Sequence, residues 1–346
     1  MKLTKETLIK TQSPRSNERT HGADRVTLRF NQRFPKFVAV ATAILLCGCS
    51  GKNTETTETE EIFSSVSESE SETLQATFES IFGSETLECR YYNEEDFLLY
   101  DSRSEAYPVN GDILCGTVPH HLTAGHMISG FFKTAAESRP DVETVVIIAP
   151  MHYSSDNTLC TSEKDWAAPR GRLETDTEIT AVFKDKLGAA TDDEMMQYDH
   201  SASAHIPFVK YYFPEAKSAC LLVSPREKED IPQRLAEVLA EVAEMKNCLF
   251  VFSIDFSHYL PPETADMRDS ETLEAVLSGD TATIERMTND NVDSPYCLSA
   301  YVRLTEALGG GVIPADNSNT AKIREIPYGG AFFPEGVTSY FVYISA

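Results

Sequence analysis

The sequence lacks what a nucleic-acid binder or an integral membrane protein needs. Lys and Arg number 30 against 54 Asp and Glu, a net charge of −24, so no basic stripe is available for phosphates. No apolar run approaches the ~20 residues that span a bilayer. Motifs that carry much nucleotide and hydrolase chemistry are missing too. There is no GxGxxG, no Walker sequence and no HExxH, and Ser257 sits in no GxSxG elbow. The eight cysteines contain no CxxC pair, which argues against a zinc ribbon. No internal repeat is present. What remains is 41% hydrophobic and 10% aromatic, enough for a sizeable core and too much for a wholly disordered chain.

The charge is unevenly distributed. Residues 1–36 carry nine Lys/Arg and three Asp/Glu, whereas residues 51–88 carry one Lys and ten Glu. Between them runs FVAVATAILLCGC, an apolar block of signal-peptide length that is too short to cross a membrane alone. Its end, Leu46-Cys47-Gly48-Cys49 followed by Ser50, resembles a bacterial lipoprotein box. That resemblance makes residues 1–49 a lipoprotein signal region and Cys49 the lipidated residue. It implies attachment to the extracytoplasmic face of a bacterial membrane, through the lipid only. Residues 50–87 are dominated by Ser, Thr and Glu and cannot bury enough apolar surface to offset chain entropy, so they read as a disordered acidic tether.

Residues 88–346 read as one folded domain. Runs 111–118, 142–149, 218–224, 247–255 and 338–345 are β-branched and aromatic, and the middle ones are nearly continuous in apolar character. Strands covered on both faces look like this. Helical patterns fall at 125–136, 177–187, 231–245, 271–277 and 297–308, with Asp176 or Thr177 as a cap and Gly309–Gly311 as a stop. Alternation over this length predicts an α/β fold, a single three-layer sandwich with a mostly parallel or mixed central sheet.

Histidines carry the functional signal. Seven of the eight fall between positions 120 and 258. Three predicted strands run into Pro119-His120-His121, Pro150-Met151-His152 and Asp255-Phe256-Ser257-His258. Ligand and catalytic groups of open α/β sheets collect past the carboxyl ends of strands. Neutral imidazoles at such ends suit iron, copper or zinc, with a carboxylate to orient a ring or complete the sphere. A further cluster, 199–208, adds His200 and His205. Five residues apart, they do not share a helical face, so one of them is expected to reach the site. His121 and His126 read as surface or supporting residues, and Trp166 and Tyr153 as pocket walls or as loop packing.

The stretches TVPHH (117–121), APMH (149–152), AAPRGRLETD (167–176), DHSASAHIPF (199–208) and SIDFSHY (253–259) resemble, in order, those of the Memo family. Memo is the B component of the AmmeMemoRadiSam system and is similar in fold to the class III extradiol (LigB-like) dioxygenases. The resemblance implies one transition metal (iron, copper or zinc) held by His120, His152 and Cys297. It also implies that His258 acts as acid/base beside Asp255, and His200 joins these two as a catalytic candidate. AMMECR-like and radical-SAM proteins are implied as system partners. This chain departs from the family pattern at several positions. Ser203 stands where a Glu is usual, Asp199 replaces the Glu ahead of the His, His121-Leu122-Thr123-Ala124 replaces HAGY, and Cys297-Leu298 replaces Cys-Gly. Three activities follow as expectations: an iron- or copper-dependent dioxygenase-like enzyme acting on a small molecule, a non-catalytic metal- or ligand-binding lipoprotein, or a metal-dependent hydrolase. Cys115, Cys220 and Cys248 read as core, and Cys89 and Cys160 as a pair or as free thiols.

Overall fold

The computed structural model describes residues 85–325 and 336–346. The signal region, Cys49 and nearly all of the expected tether lie outside the described residues. The expected tether stops short of residue 87, because Thr86–Glu88 already forms the first strand, β1. It pairs in parallel with β5 (Asp165–Ala168), which pairs with β6 (Gly171–Leu173). Leu87 is buried there, and the Glu88 amide donates to the Gln197 side chain at 2.8 Å.

Among the described residues, the main sheet has eight strands. In chain order they are β2 (Cys115–Val118), β3 (Thr144–Pro150), β4 (Leu159–Thr161), β7 (Ala190–Thr191), β8 (Lys217–Val223), β9 (Cys248–Ser253), β10 (Val312–Asn319) and β11 (Ser339–Ser345). Their spatial order is β10-β11-β2-β9-β3-β8-β4-β7. The central four, β2-β9-β3-β8, are parallel, while β11 joins β2 and β4 joins β8 antiparallel. The sheet is therefore mixed with a parallel centre, as the apolar runs predict.

Alternate residues of the central strands face opposite layers. Val145, Ile147, Leu249 and Val251 pack with Phe131 and Phe132 of the helix Gly125–Ser138 and with Phe208 of Ile206–Tyr212. Val146, Ile148, Phe250 and Phe252 pack with Leu235 and Leu239 of the helix Ile231–Met245 and with Leu298 and Tyr301 of Pro295–Ala307. Each fully buried large apolar side chain contributes about 1.5–3 kcal/mol by transfer from water, which favours two apolar faces and hence three layers. Gly116 lets the layers close: a Cβ there would meet the Phe131 ring at 2.4 Å and the Tyr343 carbonyl at 2.6 Å.

Two features of this layout matter for the site. β9 lies between β2 and β3, so the carboxyl ends of the three histidine-bearing strands are neighbours. The helix Pro295–Ala307 begins two residues before the expected Cys297, with Ser294 capping it and Pro295 in its first turn. No helix among the described residues is long and apolar enough to cross a membrane.

Candidate metal centre

β2 delivers His120, β3 delivers His152, and the segment between β7 and β8 supplies His200 at the start of the short helix His200–Ser203. One ligand atom from each lies within 4.8 Å of the other two. The ring centroids of His120 and His152 are 5.0 Å apart, those of His120 and His200 5.2 Å, and those of His152 and His200 4.5 Å. His120 is buried, whereas the side chains of His152 and His200 are 30% and 35% exposed, so one side of the group is open to solvent.

The hydrogen bonds fix which nitrogens are free. The Ser253 hydroxyl donates to the Ser201 carbonyl at 2.6 Å, so its single proton is committed. His120 Nδ1 and His205 Nε2, each 3.0 Å from Ser253 Oγ, must then be the donors. His120 is left with an unprotonated Nε2. Asp199 does the same for His152: its carboxylate accepts from the His152 amide at 2.6 Å and from Nδ1 at 3.0 Å, leaving Nε2 free. A carboxylate behind a ligating imidazole is the usual device for presenting the opposite nitrogen to a metal. Burial raises Asp199, but the hydrogen bonds and charge of His152 and the Ser201 amide outweigh it and hold the carboxyl below its ordinary value.

Two further carboxylates face His120 Nε2, Asp293 Oδ2 at 3.4 Å and Asp255 Oδ2 at 3.6 Å. Burial and the neighbouring histidines push His120 well below its ordinary value, so it is a neutral acceptor. Burial raises Asp255 to about 7, and burial together with the Asp255 charge raises Asp293. A free lone pair facing two carboxyls needs a proton or a cation between them. Neutral imidazoles backed by oriented carboxylates, with acidic oxygens alongside, are a donor set that fits a transition metal.

The expected site residues divide accordingly. His120 and His152 come together, and His200, the catalytic candidate of the 199–208 cluster, joins them within ligand distance. Cys297 does not belong to this group. It is fully buried one turn into its helix, packed in the apolar cluster beneath the sheet, and burial pushes its thiol up to about 12. The helix starts earlier than its apolar pattern suggested, so Asp293, just before the Ser294 cap, faces His120 and Cys297 turns into the core. Asp255 lies beside the group. His258 borders it half-buried, and burial lowers it to about 4 against the pull of the Phe256 carbonyl.

Among the remaining expectations, His205 is a supporting residue that holds Ser253, and burial lowers it to about 3. His121 instead contacts the Tyr340 hydroxyl, 2.6 Å from its Nδ1. Trp166 packs in the core, whereas Tyr153 is 52% exposed beside His152. All six described cysteines are free. Ser203, in the position of the family's usual Glu, spends its hydroxyl on the Asp199 carbonyl at 2.7 Å. Sequence reasoning missed Asp293 and Ser253. The Asp-Ser-Pro start of a helix was the signal for the first, and the Ser at the end of β9 gave none for the second.

A family model described as "Memo-like protein" matches residues 112–314. A "MEMO1 family protein" of Archaeoglobus fulgidus is 28% identical over 255 residues, covering 70% of this chain and 95% of that one. Another of the same description, from Methanococcoides burtonii, is 32% identical over 178 residues, covering 51% of this chain and 66% of its own. Among solved structures, an uncharacterized protein from Escherichia coli K12 aligns with a TM-score of 0.45 and 10% identity, over 68% of this chain and all of that one. The family match spans more than half of the sequence, and the chain belongs to the Memo family.

Proposed function

We propose that this chain is a metal-dependent oxidoreductase of the dioxygenase-like kind. In this reading it is exported and held by lipid on Cys49 at the outer face of a bacterial membrane. The observation that carries the reading is the convergence of His120, His152 and His200, two of them with their free nitrogen fixed by hydrogen bonds and one side of the group open. Those three residues would hold iron or copper, with Asp255 and Asp293 as adjacent oxygen donors. The metal would supply electron exchange with dioxygen and polarise a substrate oxygen.

The protein's own part is positioning and proton handling. His258, neutral above about pH 4, is available to take a proton at the edge of the group. Asp255, with its carboxyl near 7, gives or takes one at the same edge. Tyr91 lies 5.9 Å from the His200 ring, and Tyr153 and Tyr259, next in sequence to His152 and His258, are exposed and would be available to a small molecule. AMMECR-like and radical-SAM proteins stand as proposed partners on the family resemblance.

A second reading, a metal holder without turnover, is favoured by Ser203. Its hydroxyl is spent on backbone, so the position offers no carboxylate to the site. The test is turnover of phenolic and ester probes by metal-loaded protein with and without O₂. Turnover that requires O₂ supports the oxidoreductase; O₂-independent ester cleavage replaces it with hydrolysis. No turnover at full metal occupancy leaves the holder. For the anchor, Cys49→Ser should shift the protein from the membrane to the soluble fraction, and unchanged fractionation contradicts it.

A further inference from the structure

β11 runs antiparallel to β2, so its first residues stand at the carboxyl end of β2, beside the histidines. There the Tyr340 hydroxyl lies 2.6 Å from His121 Nδ1, and the two rings meet edge-on at 5.8 Å. The short helix Thr320–Ile323 packs on the turn Leu122–Ala124 that follows His121. It ends at Arg324, whose amide donates to the Thr320 carbonyl at 3.1 Å. Burial and the Arg324 charge together lower His121. Burial and the Asp255 charge raise Tyr340, opposed by Thr320 and Arg324. The guanidinium therefore stands within electrostatic reach of both rings. Among the described residues the exposed Arg324 side chain makes no ion pair and no hydrogen bond.

Tyr259 is the aromatic wall of this corner. It is 70% exposed, its ring lies edge-on to His258 at 5.7 Å, and its charge adds to the upward push on Tyr340. Its φ of 56° is in the left-handed region, which bulky side chains rarely adopt. Hydrogen bonds hold it there from both sides. The His258 amide donates to the Asn289 carbonyl at 3.1 Å, and Leu260 and Val337 exchange amide bonds at 3.3 and 2.8 Å. Gly336 passes where a Cβ would meet the Tyr259 backbone. Such strain persists only where surrounding structure enforces it, and it gathers at ligand sites.

We propose that this corner binds a small planar organic acid, with Arg324 taking its carboxylate and Tyr259 its ring. A guanidinium grips a carboxylate through two parallel hydrogen bonds, and an exposed aromatic face stacks on a flat apolar body. The corner favours an anion because its unpaired charge is positive. An organic acid suits it better than a bare inorganic anion because the strained ring would have nothing to touch. Arg324 lies outside the residues 112–314 that the family model matches, so family membership does not supply it. That the bound acid is a substrate rests on the oxidoreductase reading; that it binds does not.

The experiment is isothermal titration of the full chain, metal-free and cobalt-loaded, with benzoate, benzamide and acetate in separate arms and O₂ excluded. Benzoate should saturate at one equivalent in both forms. Benzamide and acetate should each bind at least about tenfold more weakly, as loss of a charge-assisted hydrogen bond or of the stacked ring implies. Arg324→Gln should weaken benzoate by a similar factor and leave benzamide unchanged. Tyr259→Asn, which suits the left-handed backbone, should weaken benzoate and benzamide and leave acetate unchanged. Both side chains are exposed, so neither substitution disturbs the core. Absence of saturable benzoate binding, equal affinity for benzamide, or benzoate binding undiminished in Arg324→Gln would overturn the proposal; the last is also the result if the carboxylate merely sits on the metal. Arg324-dependent binding in a protein without turnover would strike the oxidoreductase reading and leave the acid site standing. O₂-dependent turnover with no part for Arg324 in binding would do the reverse.

Discussion

Removing one hydroxyl should damage both the stability and the metal affinity of this protein. Ser253 Oγ holds three buried groups at once: the Ser201 carbonyl, His120 Nδ1 and His205 Nε2. In Ser253→Ala all three lose their partner in a region closed to water. An unsatisfied buried group costs about 1–3 kcal/mol, so the variant should lose roughly 3–5 kcal/mol. That is a large share of the ~5–15 kcal/mol that holds a typical domain together. The second consequence concerns His120. Without Ser253 its tautomer is no longer set, and metal affinity should fall about 10- to 100-fold, as when other supporting partners of ligands are removed. Urea denaturation of the metal-free protein reads the first effect and metal titration the second. Ser203→Ala is the control: its hydroxyl makes a bond within one turn, to the Asp199 carbonyl, and should cost about 1 kcal/mol or less. A Ser253→Ala protein no less stable than the control and unaltered in metal affinity would refute the assignment of the shared hydroxyl.

Three further outcomes follow from the same geometry. Asp199→Asn keeps the shape but removes the charge behind His152, so metal affinity should drop about 10- to 100-fold with the fold retained, as seen by circular dichroism. Cys297→Ala should leave metal binding intact while lowering the urea midpoint, by about 1–2 kcal/mol for a small buried side chain. His205 is lowered from 6.5 to about 3, so the unfolded chain binds a proton below pH 6.5 that the folded one refuses. Its contribution is complete above pH 6.5 and is lost as pH falls towards 3, at about 1.4 kcal/mol per pH unit. Between pH 6 and 4, His205→Gln should therefore lose stability less steeply than the wild type by about that slope, and equal slopes would contradict it.

The parallel centre of the sheet was legible in the sequence because strands buried on both faces are apolar nearly throughout, as 145–150 and 248–252 are. His120, His152 and His258 were legible for the same reason, each following such a run. Helix Pro262–Ser278 was seen only in part, since its buried positions include Asp269 and Thr272 and no apolar stripe marks the face. Strand β10 carries Pro314, Asp316 and three further polar residues, and owes its place to pairing with β11. Which of His200 and His205 reaches the site was not legible, for a topological reason. His200 meets His120 and His152 only because β9 enters between β2 and β3 and the 199–203 segment packs over β3, where Ser201 Oγ donates to the Pro150 carbonyl at 2.6 Å. Local pattern carries no information about that crossing. Cys297 looked like a ligand by family resemblance, and the Ser294-Pro295 helix start turned it inward.

The most direct test of the three-histidine centre is titration of the metal-free protein with cobalt(II), read by visible absorption, beside four single alanine variants. The account predicts one equivalent bound by the wild type and by Cys297→Ala, with binding lost or weakened by orders of magnitude in His120→Ala, His152→Ala and His200→Ala. Full binding by His200→Ala together with its loss in Cys297→Ala would contradict the centre, as would a wild-type protein that takes up no metal.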